Sequence, residues 1–142
     1  MIKSFRGLLA DGGQETIRLA TNNGLTGYKI NKFQIIPQNP GGAAVEQTCK
    51  IFVYEQTAIT ATVDFADGTM LGVAYVAVNS DNVGIYTETV IFDNVKFNQD
   101  IFITHADAKG SESCNYYLEL EQVKLSTDEA AVATLKDMRG TT

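Results

Sequence analysis

Short apolar runs rich in β-branched residues recur along most of the chain, separated by clusters of Gly, Asn and Asp. The runs start roughly every ten residues, a spacing typical of β-sandwiches and β-barrels. Thr, Val and Ile, which favour strands, number 15, 11 and 11 among the 142 residues. Because no helical pattern lies between successive runs, a parallel sheet with helical crossovers is excluded. The pattern therefore predicts an all-β fold, an antiparallel jelly-roll-like β-sandwich, with a short α-helix at the C-terminal end.

The strand boundaries follow from the apolar runs and from the turn residues between them. Asp11-Gly12-Gly13 and Asp67-Gly68 each lie between two runs, and their tolerance of turn geometry predicts a β-hairpin at both places. The alternation of apolar residues slips near Asn31-Lys32, which predicts a β-bulge there. The predicted strands are 5–10, 16–20, 28–36, 48–54, 60–65, 69–78, 88–92, 99–104 and 114–125.

The pattern changes from strand to helix after residue 125. Ser126 and Glu129 form a capping box, in which each side chain accepts from the backbone N–H of the other residue. A helix of about fourteen residues is marginal in isolation, so its apolar stripe is predicted to dock on the sandwich or on a neighbouring subunit. The stripe consists of Ala131, Leu135 and Met138. Residues 1–125 are thus predicted as the sandwich and residues 126–142 as helix and tail, within one structural domain.

The net charge and the length of the apolar runs limit the kinds of partner that the chain is expected to bind. Eleven basic and seventeen acidic residues give a net charge of −6, which opposes binding to the phosphate backbone of nucleic acids. No apolar run approaches the roughly 20 residues that a membrane helix needs. The first six residues lack the apolar segment of a signal peptide. We therefore expect no direct nucleic-acid partner and no membrane partner.

The candidates for chemistry at a site are one histidine and two cysteines. His105 lies in no recognisable catalytic context, so no catalytic residue and no cofactor are predicted, and a hydrolase using this base is the weaker alternative. Cys49 and Cys114 are too few for a disulfide framework and are predicted as buried free thiols, with a single bridge as the alternative. Because the three residues lie far apart in the sequence, no metal site is predicted from their spacing.

Acidic loops are a further candidate site, because carboxylates and carbonyls in loops can bind calcium. The same residue types are what tight turns require, and that simpler interpretation is preferred. The segments concerned are 64–68 and 79–82, together with Asp93 and Asp100. Any pair of the seventeen acidic residues that faced each other across a cleft would suit a glycosidase, but no such pair can be located from the sequence.

Four segments resemble a known group of proteins. They are SFRGLLADGG at 4–13, NQDIFITHAD at 98–107, NYYLELE at 115–121 and ATLKDMRG at 133–140. Together they resemble small virion structural proteins of tailed phages that infect marine bacteria, including cyanophages. The resemblance implies a virion protein that is assembled in the host cytoplasm, and most readily a capsid decoration or cement protein. Its implied partners are the major capsid protein and copies of itself.

The resemblance leaves other roles open. A tail, collar or knob component is one alternative, and a glycan-binding sandwich for host attachment is another. The predicted contact elements are the N-terminal segment 1–6 and the helix 127–139, which would act by burying apolar surface. Tyr117 is predicted to lie either on the second face of a sheet or at an interface. The predicted interface residues are Ile2, Phe5, Arg6, Val132, Leu135, Met138 and Arg139.

Overall fold

A computed structural model describes residues 1–78, 85–92 and 95–140, with side chains described as far as residue 135. It contains eight strands and one helix. The strands are β1 (Ile2–Leu9), β2 (Gln14–Ile17), β3 (Thr26–Pro37), β4 (Val45–Phe52), β5 (Met70–Val78), β6 (Ile85–Ile91), β7 (Ile101–Asp107) and β8 (Cys114–Lys124), and the helix is α1 (Thr127–Gly140).

The strands form two sheets in which every pairing is antiparallel. The smaller sheet has the order β1-β8-β3 and the larger has the order β2-β7-β4-β5-β6. The late strand β8 lies between β1 and β3, while β7 lies between β2 and β4, so the chain wraps around the sandwich as in a jelly roll. The predicted fold class is confirmed. Strand β6 lies next to β5 at the edge of the larger sheet, so that sheet has five strands and the smaller sheet has three.

The longest strands carry the pattern that the sequence predicts. The register between β3 and β8 shifts between Ile30 and Lys32, which confirms the predicted bulge. Leu118 and Leu120 of β8 are fully buried, whereas Glu119 between them is half-exposed. The core lies between the sheets, and its largest buried apolar side chains are Phe33, Ile51, Ile101, Ile103, Leu118 and Leu120.

The first predicted hairpin is wrong. β1 pairs with β8 and β2 pairs with β7, so the two strands lie in different sheets. The turn between them does exist, with the Gly13 N–H donating to the Ala10 carbonyl over 2.8 Å. Gly12 adopts a φ of 76°, and its N–H donates to the carbonyl of His105 on β7. The glycines thus carry the chain from one sheet to the other, and each strand pairs with a strand near the C-terminal end.

The second predicted hairpin is also wrong, because residues 60–65 are irregular. The carboxylates of Asp64 and Asp67 each accept a backbone N–H two residues further on, so local turns use groups that a strand would need. The Lys50 ammonium on β4 donates to the carbonyl of Thr62 over 2.7 Å. This contact holds the segment between β4 and β5 against β4, and β5 pairs with β4 instead of with residues 60–65 as predicted.

The predicted capping box is present at the start of α1. The Glu129 N–H donates to Ser126 Oγ over 3.1 Å, and the Ser126 N–H donates to Glu129 Oε1 over 3.2 Å. Lys96 forms an ion pair with the same Glu129 carboxylate at 2.9 Å. The hydrogen bond with Lys96 and those with Ser126 lower the pKa of Glu129. These contacts join the start of the helix to the segment between β6 and β7.

The Ser126→Ala variant is expected to lose about 1 kcal/mol of unfolding free energy, the usual cost of removing a serine N-cap. Ser126→Asp keeps an acceptor for the same N–H and should remain within a few tenths of a kcal/mol of the parent chain. Urea denaturation followed by circular dichroism measures both values. Equal stability of the alanine variant and the parent would mean that the cap does not stabilise the folded chain.

Candidate contact surfaces and a buried thiol–histidine cluster

The N-terminal strand β1 forms one edge of the smaller sheet. Ile2 keeps 52% of its surface exposed, and Arg6 on the same side of the strand is also exposed. Phe5 points the other way, packs against the main core and is half-buried. Of the three residues predicted as contacts on this strand, Ile2 and Arg6 are therefore accessible, while Phe5 chiefly joins β1 to the core.

The helix α1 packs on the sandwich through residues outside the predicted stripe, so of the two predicted docking partners of the stripe a neighbouring subunit remains. Ala130 and Ala133 are buried and pack in a cluster with Leu125, whereas Ala131 and Leu135 of the predicted stripe are exposed. The side chain of Asn98 holds this face, because its Nδ2 donates to the Ala130 carbonyl at 3.3 Å. The small alanines allow close approach to the sandwich, and the larger apolar residues face outward.

Outward apolar residues on α1 remain available for contact. Val132 and Leu135 each keep 53% of their surface exposed. Such exposure of two large apolar residues on one short helix is typical of an interaction site. The side chains of Met138 and Arg139, which complete the predicted set, lie outside the described residues.

The two contact elements meet at one end of the sandwich. Met1 lines a cleft of about 490 Å³ together with Leu25, and Leu25 also lines a neighbouring cleft of about 460 Å³ with Leu135 of α1. The N-terminus is held there by the Gln122 N–H, which donates to the Met1 carbonyl over 2.8 Å. We call the region formed by Met1, Leu25 and Leu135 at these two clefts the end surface; the exposed Ile2 follows Met1 in the chain, and the exposed Val132 lies on the same helix as Leu135.

A second open groove lies on the smaller sheet and has a volume of about 430 Å³. Tyr117 lies there, half-buried, and its hydroxyl donates to the carboxylate of Glu119 over 3.1 Å. This places Tyr117 on the second face of the sheet, as one of the two predicted alternatives has it. The groove is lined by Arg6, Gly7, Gln34, Ile36, Asn115, Tyr116 and Tyr117.

The structure brings together the two cysteines and the histidine that the sequence keeps apart. Cys49 and His105 are direct cross-strand neighbours on β4 and β7, and Cys114 begins β8 in the opposite sheet. Their ligand-type atoms all lie within 4.8 Å of one another, and all three residues are 0% exposed. The expectation that sequence separation prevents a ligand set is therefore wrong, because the sandwich wraps distant strands against each other.

The hydrogen bonds of His105 fix which ring nitrogen faces the thiols. His105 Nε2 donates to the carbonyl oxygen of Glu112 at 3.0 Å, since a carbonyl can only accept. In the neutral ring Nδ1 then carries a lone pair, and it lies 3.7 Å from Cys49 Sγ. The His105 backbone is held as well, because its N–H donates to the Gly13 carbonyl over 3.0 Å.

The thiols of the cluster are buried and free in the structure, as predicted. Interaction with the Cys114 thiol raises the pKa of Cys49, and burial raises it further. Cys114 Sγ lies 3.5 Å from the Asn115 carbonyl and 3.7 Å from the Ile36 carbonyl. The Cys49 thiol is therefore expected to remain protonated and unreactive toward alkylating reagents at neutral pH.

The carboxylate of Asp107, which was not among the predicted site residues, organises the loop that carries Glu112. Asp107 accepts the N–H groups of Glu46, Lys109, Gly110 and Glu112 at 3.1–3.2 Å. Burial alone would raise the pKa of Asp107, but these four hydrogen bonds outweigh it and lower the pKa. An Asp at the start of a Gly-containing loop is a known turn signal and could have indicated this role.

The acidic loops proposed as calcium sites have other roles where they are described. Asp64 and Asp67 form turns, and Asp100 Oδ1 accepts the N–H groups of Leu19 and Ala20 at 2.7 and 2.9 Å. Segment 79–82 and Asp93 lie outside the described residues. Within 1–78, 85–92 and 95–135, Cys49, His105 and Cys114 form the one cluster of three or more potential metal ligands.

Comparisons of the chain with models of known protein families and with curated protein sequences give no match. Among the described residues, no helix has the length and apolar character needed to cross a membrane.

Proposed function

We propose that this chain is a phage virion structural protein, most specifically a capsid decoration or cement protein that binds the major capsid protein and stabilises the shell. The observation that carries the proposal is the end surface, where the exposed Met1 and the exposed Leu135 of α1 line two clefts that share Leu25. The partner class is the one that the resemblance of four segments to virion proteins of marine phages implies.

The proposed mechanism is burial of surface across subunit boundaries. A stable interface between proteins buries about 1,200–2,000 Å² in total, more than one helix face supplies, so both contact elements and neighbouring copies would take part. Each copy bound to the assembled shell adds contacts that must break before the shell opens. The net charge of −6 keeps unassembled copies soluble.

The experiment that tests this role is quantitative mass spectrometry of purified particles. We expect the chain at a fixed, repeating ratio to the major capsid protein. A few copies per particle would instead assign it to the tail, collar or knob. Absence from washed particles would contradict every virion role.

A glycan-binding sandwich is the second candidate, favoured by the groove on the smaller sheet. Arg6, Gln34 and Asn115 offer polar groups there beside the Tyr117 ring, the combination that sugar hydroxyls and apolar sugar faces require. A glycan array probed with the purified chain, with and without calcium, tests it. Binding that Tyr117→Ala abolishes would favour host attachment over shell stabilisation.

A further inference from the structure

We propose that Cys49, His105 and Cys114 form a binding site for one soft d¹⁰ cation, Zn²⁺ or Cu⁺, which joins the two sheets of the sandwich. The inference stands apart from the proposed virion role, because it concerns the core and needs no partner. It rests on the geometry of three buried donors that come from β4, β7 and β8.

The donor set matches the chemistry of such ions. Thiolate sulfur and imidazole nitrogen are the ligands that Zn²⁺ and Cu⁺ prefer over Mg²⁺ or Ca²⁺. The three donor atoms already lie within 4.8 Å of one another, so small side-chain movements would bring all of them to bonding distance of a central ion. The cluster spans both sheets, so an ion there would cross-link β8 of the smaller sheet to β4 and β7 of the larger one.

The surroundings of His105 are those of a metal ligand. A ligating histidine commonly donates its second ring N–H to a carbonyl or carboxylate, which orients the ring. His105 does so through Nε2 to the Glu112 carbonyl, and this leaves Nδ1 directed at the sulfur of Cys49. Asp107 in turn holds the Glu112 N–H, so the acceptor carbonyl sits in an ordered loop.

A buried amide oxygen belongs to a residue on the same side of β4 as Cys49. Gln47 is two residues before Cys49 on β4 and therefore points to the same side of the strand. Its Nε2 donates to the carbonyls of Glu112 and Ser113 at 3.2 and 3.0 Å, which fixes the orientation of the amide. Its Oε1 is buried and accepts no hydrogen bond from the residues that the structure describes. Gln47 is thus the candidate fourth donor for an ion that prefers four ligands.

Binding of the ion must leave the buried site without net charge. Binding of Zn²⁺ to both thiols forms two Zn–S bonds and releases two protons to solvent, so the buried complex is neutral with a neutral imidazole. Binding of Cu⁺ to one thiolate and one thiol releases one proton and is also neutral. Because the ligands are fully buried, we expect the ion to be taken up during folding rather than by the folded chain.

The experiment is refolding of the full chain from urea, under argon and with a phosphine reductant, in the presence of zinc sulfate or a Cu⁺–acetonitrile complex. Native mass spectrometry should find one ion per chain, and the chain with bound ion should unfold at a higher temperature. Cys49→Ala and Cys114→Ala should each weaken binding of the ion by more than about 100-fold. A loss of this size is larger than the loss caused by removing a residue that only hydrogen-bonds to a ligand of the ion. Ile51→Val, which removes buried volume from the same strand but no donor, should bind like the parent.

A spectrum of the unmutated chain keeps the test independent of whether the variants fold. Refolding with Co²⁺ in place of zinc should give thiolate-to-cobalt charge-transfer bands in the near ultraviolet and the visible bands of a tetrahedral ion. Absence of bound Zn²⁺ and Cu⁺ in the reduced parent would overturn the proposal, and so would unchanged binding in Cys114→Ala.

Discussion

Asp107→Ala is expected to lower the free energy of unfolding by about 3–5 kcal/mol, because four backbone N–H groups lose a charged acceptor at once and hydrogen bonds to charged groups are the strong ones. The side chain is only 8% exposed, so water can replace it only after the loop rearranges. The loop also carries the Glu112 carbonyl that orients His105. Urea denaturation of parent and variant at pH 7 measures the loss.

The stability that the Asp107 carboxylate contributes is expected to decrease at acidic pH. The pKa of Asp107 is lowered in the folded chain, so the carboxylate stabilises the fold fully above the unfolded pKa of about 3.9. That contribution is lost as the pH falls below this value toward the folded pKa. The stability gap between the parent and Asp107→Asn should therefore shrink between pH 6 and pH 3, as measured by urea denaturation across that range.

Asp67→Ala is the control that distinguishes the buried carboxylate of Asp107 from a carboxylate in an ordinary surface turn. Asp67 also accepts two hydrogen bonds, both from Thr69, but it lies half-exposed in a surface loop. Asp67→Ala should cost no more than about 1 kcal/mol. If the two alanine variants lose equal stability, or if the gap with Asp107→Asn is the same at both ends of the pH range, the role assigned to Asp107 is wrong.

The double variant Val132→Asp/Leu135→Asp is expected to reduce incorporation into particles by more than tenfold without unfolding the chain. Each side chain is 53% exposed in the free protein, so the substitutions cost little there. At an interface the same positions would place carboxylates against apolar surface, and the penalty should exceed the 1.4 kcal/mol that corresponds to tenfold in affinity. Quantitative mass spectrometry of particles assembled with each variant measures the incorporation.

Val63→Asp is the matched control for this test. Val63 is 41% exposed, in the segment between β4 and β5 and apart from the end surface. The control should enter particles like the parent. Normal incorporation of the double variant would exclude α1 as a contact element, and equal losses in both variants would indicate a general effect of added charge.

The sequence predicts strands best where one face of a strand meets the core and the other meets solvent. The apolar alternation of β8 and the bulge in β3 are local patterns, and both are confirmed. Strand pairing is not local, and this is why the hairpin at Asp11-Gly12-Gly13 failed. A short turn is compatible with a hairpin and equally with a crossover between sheets, and the better partner for each strand lies more than 80 residues away in β7 or β8.

The candidate sites, too, could be predicted only where they depend on local sequence and not on strand pairing. The exposure of Ile2, Val132 and Leu135 agrees with their selection as contact residues, because apolar residues beyond what the core can hold remain at the surface. The cluster of Cys49, His105 and Cys114 could not be predicted, because its formation depends on the order of strands in two sheets. The apolar stripe of α1 was expected to dock on the sandwich or on a neighbouring subunit, and the structure excludes the sandwich for Ala131 and Leu135, because the small Ala130 and Ala133 pack there instead.

The most direct test of shell stabilisation is the return of purified protein to particles assembled without it. The account predicts saturable binding at a fixed ratio to the major capsid protein, together with release of the packaged DNA at a higher temperature than in the depleted particles. Failure to rebind, with depleted and complete particles releasing DNA at the same temperature, would contradict it.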